Sequence, residues 1–167
     1  MTTTALEGCR VIEIGRTAAA IAGRMLAGLG AEVIKIEPPG GDPSRHPREM
    51  TGLGVNQQRL SYEWLAFNVG KRSVVIDLNS LAGRDNFQEL AGSASIVLTD
   101  FQAIDIALND TLQSLGRAVN SGLVWTEIWP YGREEPHCFY PRLPWSRTSG
   151  NSLQVRVSRS SAGAFGR

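Results

Sequence analysis

The sequence predicts an α/β protein: a parallel sheet with flanking helices. Three observations lead there. Short β-branched runs alternate with helical segments from Arg10 to Ile128. The helical segments carry apolar residues at spacings of three and four, which places them on one face. The chain has 167 residues, 42% of them hydrophobic, enough to close one sizeable core without metal or disulfide support.

Arg10-Val-Ile-Glu-Ile14 is a β-branched run that stops at Gly15, as a mostly buried strand does. Thr17 to Leu29 is alanine-rich, with Ile21, Met25, Leu26 and Leu29 on one helical face, and Gly28 and Gly30 supply the stop. Glu32-Val-Ile-Lys-Ile-Glu37 reads as a second strand, ended by Pro38-Pro-Gly-Gly-Asp-Pro43. Residues 44 to 60 are polar and irregular, and Ser61 to Asn68 is expected to form a short helix carrying Tyr62, Trp64, Leu65 and Phe67. Ser73 to Leu78 is a strand, Ser80 an N-cap, and the segment to Ala91 a helix anchored by Leu81, Phe87 and Leu90. Ser95 to Thr99 repeats the strand pattern, residues 103 to 116 the helical one, and Gly122 to Ile128 supplies a fifth strand. Strands alternating with helices imply right-handed crossovers.

Charge and composition exclude several function classes. A net charge of +1 argues against a nucleic-acid binder that works through a global positive field. Only Cys9 and Cys138 are present, which excludes a disulfide-dense scaffold and a four-cysteine zinc site. No window approaches the roughly 20 apolar residues of a membrane span, and the amino terminus lacks the pattern of a secretory signal. The expectation is a cytoplasmic protein in a reducing compartment, with no nucleic-acid or membrane partner.

Two loops could hold a phosphate-bearing ligand. After the first strand, Gly15-Arg16-Thr17-Ala18-Ala19-Ala20 opens a helix, and Glu37 closes the second strand. That is the layout of a dinucleotide site, with a helix N-terminus for the pyrophosphate and an acid for a ribose hydroxyl. Thr17 and Ala20 replace the second and third glycines of the fingerprint, which favours an ordinary β-α-β unit with a solvated Glu37 over a dinucleotide site. Asn68-Val-Gly70-Lys71-Arg72-Ser73 places two cations at the mouth of a strand. Arg45 adds a third on the loop after the second strand, where open α/β sheets bind ligands. His46 and His137 have no neighbours arranged for catalysis or metal binding, so no catalytic and no metal residue is assigned. Cys9 and the tryptophans Trp64, Trp125, Trp129 and Trp145 read as packing residues.

Three segments carry a more specific signal. Leu6-Glu-Gly-Cys-Arg-Val-Ile-Glu-Ile14, Leu26 to Pro43 with Arg45, and Asn68 to Leu78 resemble the class III CoA-transferase family. This is the group of formyl-CoA transferase, carnitine CoA-transferase and α-methylacyl-CoA racemase. Ala94 to Phe101 resembles a further strand of that family, and the likeness runs from Leu6 to Gly132. The resemblance implies a Rossmann-like domain that binds coenzyme A, within a homodimer of interlocked subunits. It implies CoA contacts from Arg16, Thr17, Arg45, Lys71, Arg72, Asp100 and Phe101: cations for the phosphates, Asp100 and Phe101 for the adenosine, and Arg16 and Thr17 at the thioester end. The substrates it implies are an acyl-CoA and a carboxylic acid, with coenzyme A entering as thioester substrate and no separate cofactor.

The departures are equally specific. Ala18-Ala-Ala20 stands where the family has alanine-glycine-proline, and Gln102-Ala-Ile-Asp105 where it has a glycine-rich turn. The family's nucleophile is an aspartate C-terminal to the matched region, and no residue here corresponds to it. The expectation is an N-terminal, truncated piece of a CoA-transferase, residues 1–135, inactive alone. A non-catalytic CoA- or nucleotide-binding module and a piece of the racemase branch stay open as alternatives. Residues 136–167 hold five arginines, six serines and three prolines without one Asp, Glu or Lys. They are expected to form an irregular, largely disordered tail. The loss of acids and of resemblance after Glu135 fits a shifted reading frame, which translation of the other two frames tests; the alternative is a divergent tail.

Overall fold

A computed structural model of the chain describes residues 4–45, 61–100, 103–129 and 154–159. The elements run β1 (Arg10–Ile14), α1 (Thr17–Gly28), β2 (Glu32–Glu37), a 3-10 turn (Pro43–Arg45), α2 (Tyr62–Asn68) and β3 (Arg72–Val75). They continue with α3 (Leu81–Gly92), β4 (Ile96–Asp100), α4 (Ile106–Val119), β5 (Val124–Trp129) and β6 (Gln154–Arg159). The sheet order is β3-β2-β1-β4-β5-β6, and the first five strands are parallel. The strand order reverses between β1 and β4, so the loops after these two strands meet at the switch point where such sheets bind ligands.

Both faces of the sheet are covered, as parallel strands require. Val11, Val33, Leu98 and Ile128 pack with Ala19 of α1 on one face. Ile12, Ile36, Val97 and Trp125 pack with Phe87 of α3 and Leu112 of α4 on the other. Alternate side chains of β1 thus enter different cores, the period-two rule of a strand. Phe87 and Trp125, both fully buried, meet edge to face with ring centroids 6.2 Å apart. Replacing Phe87 by alanine is expected to cost about 3–5 kcal/mol, measurable by urea denaturation.

The helix starts follow the sequence. Ser61, Ser80 and Asp105 each cap a helix through the side chain, accepting from the N–H of Trp64, Gly83 and Leu108. β3 is shorter than the sequence predicts. β2 ends at Glu37, whose carbonyl takes the N–H of Ile76, and beyond it there is no neighbouring strand for residues 77 and 78 to pair with.

The tail contributes one element that the sequence reading does not name. Six residues of the supposedly irregular tail form β6, antiparallel to β5, and make the sheet mixed. The compositional argument weighed only burial, and Val155 and Val157 do remain 58% and 62% exposed. What holds β6 is the ladder to β5 together with Ser158, whose hydroxyl accepts from Gln113 and Arg117 of α4. Residues 136–153 and 160–167 lie outside the described residues, as do His46, Phe101 and Trp145.

Candidate functional site

Residues at the carboxyl ends of β1 and β2, with the loop after β3 and the start of α4, line a cleft of about 180 Å³. Gly15, Arg16, Pro38, Asp42, Asn79 and Ile104 are among its walls. A cleft of that size holds part of a ligand rather than a whole cofactor, since complete small-molecule sites run to roughly 300–1,000 Å³.

The α1 N-terminus points toward this region, and it is already occupied. One Asp100 carboxylate oxygen accepts from the backbone N–H of Arg16 and of Ala19, each at 3.0 Å. No side chain of the helix's own N-cap residue does this; the cap arrives from β4 across the switch point. Gly15 makes room for this packing, because a Cβ there would overlap the Ala19 methyl group and lie 3.2 Å from the same carboxylate oxygen. Glu37 is equally committed. Arg45 grips it with two hydrogen bonds of 2.7 Å, and the N–H of Asp42 adds a third at 2.8 Å. The Arg45 guanidinium also lies 3.7 Å above the Trp64 ring. Two of the N–H groups that a pyrophosphate would use, and the acid that a ribose would need, are therefore spent within the protein. The dinucleotide reading loses its two supports.

Burial pushes the Glu37 carboxyl up, but the hydrogen bonds from Arg45, Asp42 and Ser73, with the Arg45 charge, outweigh it and hold it at about 2. A carboxyl depressed by folding stabilises the native state fully above its unfolded value near 4.5, and this is lost as pH falls through about 2. The melting temperature is expected to drop as pH falls from about 4.5 towards 2, and Glu37→Gln should flatten that slope. A pH series by circular dichroism on both proteins checks it.

Beneath the cleft lies a cluster of buried charges. Glu13 is fully buried in β1, and its two carboxylate oxygens receive Lys35 at 2.9 Å and Lys71 at 2.6 Å. Lys35 also reaches Asp42 at 3.0 Å and donates to the Gly15 carbonyl. Lys71 donates to the Ala20 carbonyl at 2.8 Å and to Asn68 at 3.2 Å. Each ammonium thus combines two hydrogen bonds with ion pairing to buried carboxylates. Burial lowers the Lys35 ammonium, but Glu13 and Asp42 more than reverse this and leave it raised; for Lys71 burial prevails and the value is lowered.

The seven residues singled out in the sequence thus divide by environment. The Lys71 side chain, 2% exposed, and the buried Asp100 are engaged by the protein itself. Arg45 is partly exposed and paired to Glu37, and Arg72 is 77% exposed beside Glu32 at 2.7 Å. Arg16 lines the cleft, and its guanidinium makes no ion pair among the described residues. Thr17, at the first position of α1, contacts Glu63 at 3.4 Å. Phe101 lies outside the described residues. Among the described residues no three His, Cys, Asp or Glu side chains converge for a metal ion, and no helix is long and apolar enough to cross a membrane.

The family model for CoA-transferase family III matches residues 6–143. The chain belongs to CoA-transferase family III. The match extends past Gly132, where the motifs alone end the likeness, and past Glu135. A probable fatty acyl-CoA transferase of Mycobacterium tuberculosis is 33% identical over 145 residues, 83% of this chain and 34% of that protein. The succinate–glutarate CoA-transferase of Agrobacterium fabrum is 36% identical over 137 residues, 79% of this chain and 34% of its own length. Among solved structures, that mycobacterial family member superposes with a TM-score of 0.71 at 31% identity, covering 82% of this chain and 38% of its own. The chain spans about a third of the length of the curated relatives it matches. A Rossmann-like α/β fold is thereby shared with the family, over its amino-terminal part.

Proposed function

We propose that this chain is the CoA-binding part of a cytoplasmic, homodimeric CoA-transferase that moves CoA between an acyl-CoA thioester and a carboxylic acid. The family match over residues 6–143 carries this, and the cleft at the carboxyl ends of β1 and β2 gives it a location. Arg16 supplies a cation at the cleft, and Thr17 stands beside it at the start of α1, both at the thioester end. Arg45 and Arg72 present exposed guanidinium edges that suit the nucleotide phosphates. Lys71 and Asp100 support the same loops from below, and the family resemblance assigns Phe101 with Asp100 to the adenosine. Coenzyme A enters as the thioester substrate, and no other cofactor is needed.

The covalent route of this chemistry requires a carboxylate that can reach a thioester carbonyl. The buried acids of β1, β2, the loop after β2 and β4 do not qualify. Glu13, Glu37, Asp42 and Asp100 are each held by ammonium, guanidinium or N–H donors and withdrawn from solvent. Because no residue here corresponds to the family's nucleophile, this chain alone is expected to bind CoA without transferring it. Calorimetric titration with CoA, and in parallel with NAD, tests the reading. Saturable heat with CoA and none with NAD is expected, with no transfer detectable by following acyl-CoA. Heat with NAD alone, or with neither ligand, overturns the proposal.

A further inference from the structure

The buried charge cluster is larger than stability requires. Glu13, Lys35, Lys71 and Asp42 are two anions and two cations, almost wholly withdrawn from water, with side-chain exposures of 0%, 1%, 2% and 4%. Replacing such a cluster by apolar groups of similar volume is often neutral or stabilising, because desolvation cancels the attraction. What an apolar core cannot supply is direction. The Lys35 ammonium reaches three separate segments: it donates to Glu13 on β1 and to the Gly15 carbonyl on the β1–α1 turn, and it forms an ion pair with Asp42 on the loop after β2. Gly15 and Asp42 both line the cleft, and Arg16 is bonded directly to Gly15. Asp42 is itself oriented by Ser44, whose N–H and hydroxyl both donate to its second oxygen at 2.7 and 2.6 Å.

We propose that Lys35 is a positioning residue for coenzyme A: its ammonium ties the Gly15 turn to the Asp42 loop and so fixes the cleft walls and Arg16 in their binding geometry. This rests on the CoA-binding reading above. Lys35 never touches the ligand, since its ammonium is engaged by Glu13, Gly15 and Asp42 inside the protein and its side chain is 1% exposed. Preorganised walls lower the ordering cost of binding, so loss of the tie appears as weaker affinity in a protein that still folds.

The test is the double variant Lys35→Met/Asp42→Asn, which removes one positive and one negative charge and leaves Glu13 balanced by Lys71. Circular dichroism and thermal melting report the fold, and calorimetry well below the melting temperature reports CoA affinity. A residue that served stability alone would shift the melt and leave affinity unchanged. The expected result is a cooperative melt near the parent's with CoA bound at least tenfold more weakly. A folded double variant with the parent's affinity overturns the proposal. Should the double variant fail to fold, Asp42→Asn decides, because it cuts the tie and keeps both ammonium groups. Folded with weakened affinity it supports the positioning role; folded with unchanged affinity, or unfolded, it overturns it. Absence of CoA binding by the parent protein is a separate result, and it overturns the proposed function instead.

Discussion

Gly23→Ala is expected to destabilise the protein by about 2–4 kcal/mol, although alanine is the better helix former by about 1 kcal/mol. Gly23 lies in the middle of α1 and is buried. A Cβ at this position would overlap a Glu13 carboxylate oxygen and would lie 3.1 Å from its carboxyl carbon and 3.3 Å from the Lys71 ammonium. An oxygen at the end of a side chain can ordinarily swing aside. Here the overlapped oxygen pairs with Lys71 at 2.6 Å while the other oxygen of the same carboxylate is held by Lys35 at 2.9 Å, and Glu13 has no exposed surface into which to turn. The methyl group must therefore either displace α1 from the sheet or part the carboxylate from its cations. Breaking a buried ion pair costs about 3–5 kcal/mol because an uncompensated charge stays behind, and this exceeds the propensity gain. At roughly 2–4 °C per kcal/mol for a chain of this size, the melting temperature should fall by about 10 °C. A melt at or above the parent's would show that the carboxylate relaxes freely, and would remove Glu13 from the centre of the cluster.

The same cluster shows where the sequence was legible and where it was not. Strand and helix positions were readable because burial on two faces imposes periods that survive in one dimension: Arg10-Val-Ile-Glu-Ile14 and Glu32-Val-Ile-Lys-Ile-Glu37 announce strands at sight. The charges inside those strands carried a further signal. Glu13 and Lys35 occupy matching places in the two runs, and the sheet sets them directly opposite each other in register. Interior strands of a parallel sheet are covered on both faces, so a charge in the middle of one must find an opposite charge on its neighbour. Reading Glu37 as a solvated strand end ignored that constraint, and the Arg45 fork fills the place of the solvent. Asp100 was legible as a site residue but not as the α1 cap, because its two N–H donors lie 84 and 81 positions away and only the folded topology brings them together. β6 escaped for a related reason: an edge strand is held by the ladder of its neighbour more than by its own composition.

Lys71 and Arg72 are neighbours in sequence and are expected to respond oppositely to alanine. From the sequence they form one pair of cations at a strand mouth. In the fold, Lys71 turns inward to Glu13, Ala20 and Asn68 with its side chain 2% exposed, whereas Arg72 turns outward beside Glu32 and stays 77% exposed. Lys71→Ala removes one of the two cations on Glu13, unties α1 from the end of α2 and leaves a void among buried polar groups. A loss of about 3–5 kcal/mol follows from the uncompensated buried charge, and it should depend little on salt because screening does not reach the interior. Arg72→Ala gives up an exposed pair worth at most about 1 kcal/mol, so its melt should hardly move. Its effect belongs to affinity: if Arg72 meets a CoA phosphate, the variant binds CoA more weakly at low salt and approaches the parent at high salt. Urea denaturation and calorimetry at two ionic strengths separate the two cases. A stable Lys71→Ala protein with salt-dependent loss of CoA affinity would return Lys71 to the ligand and show that its inward contacts give way when CoA binds.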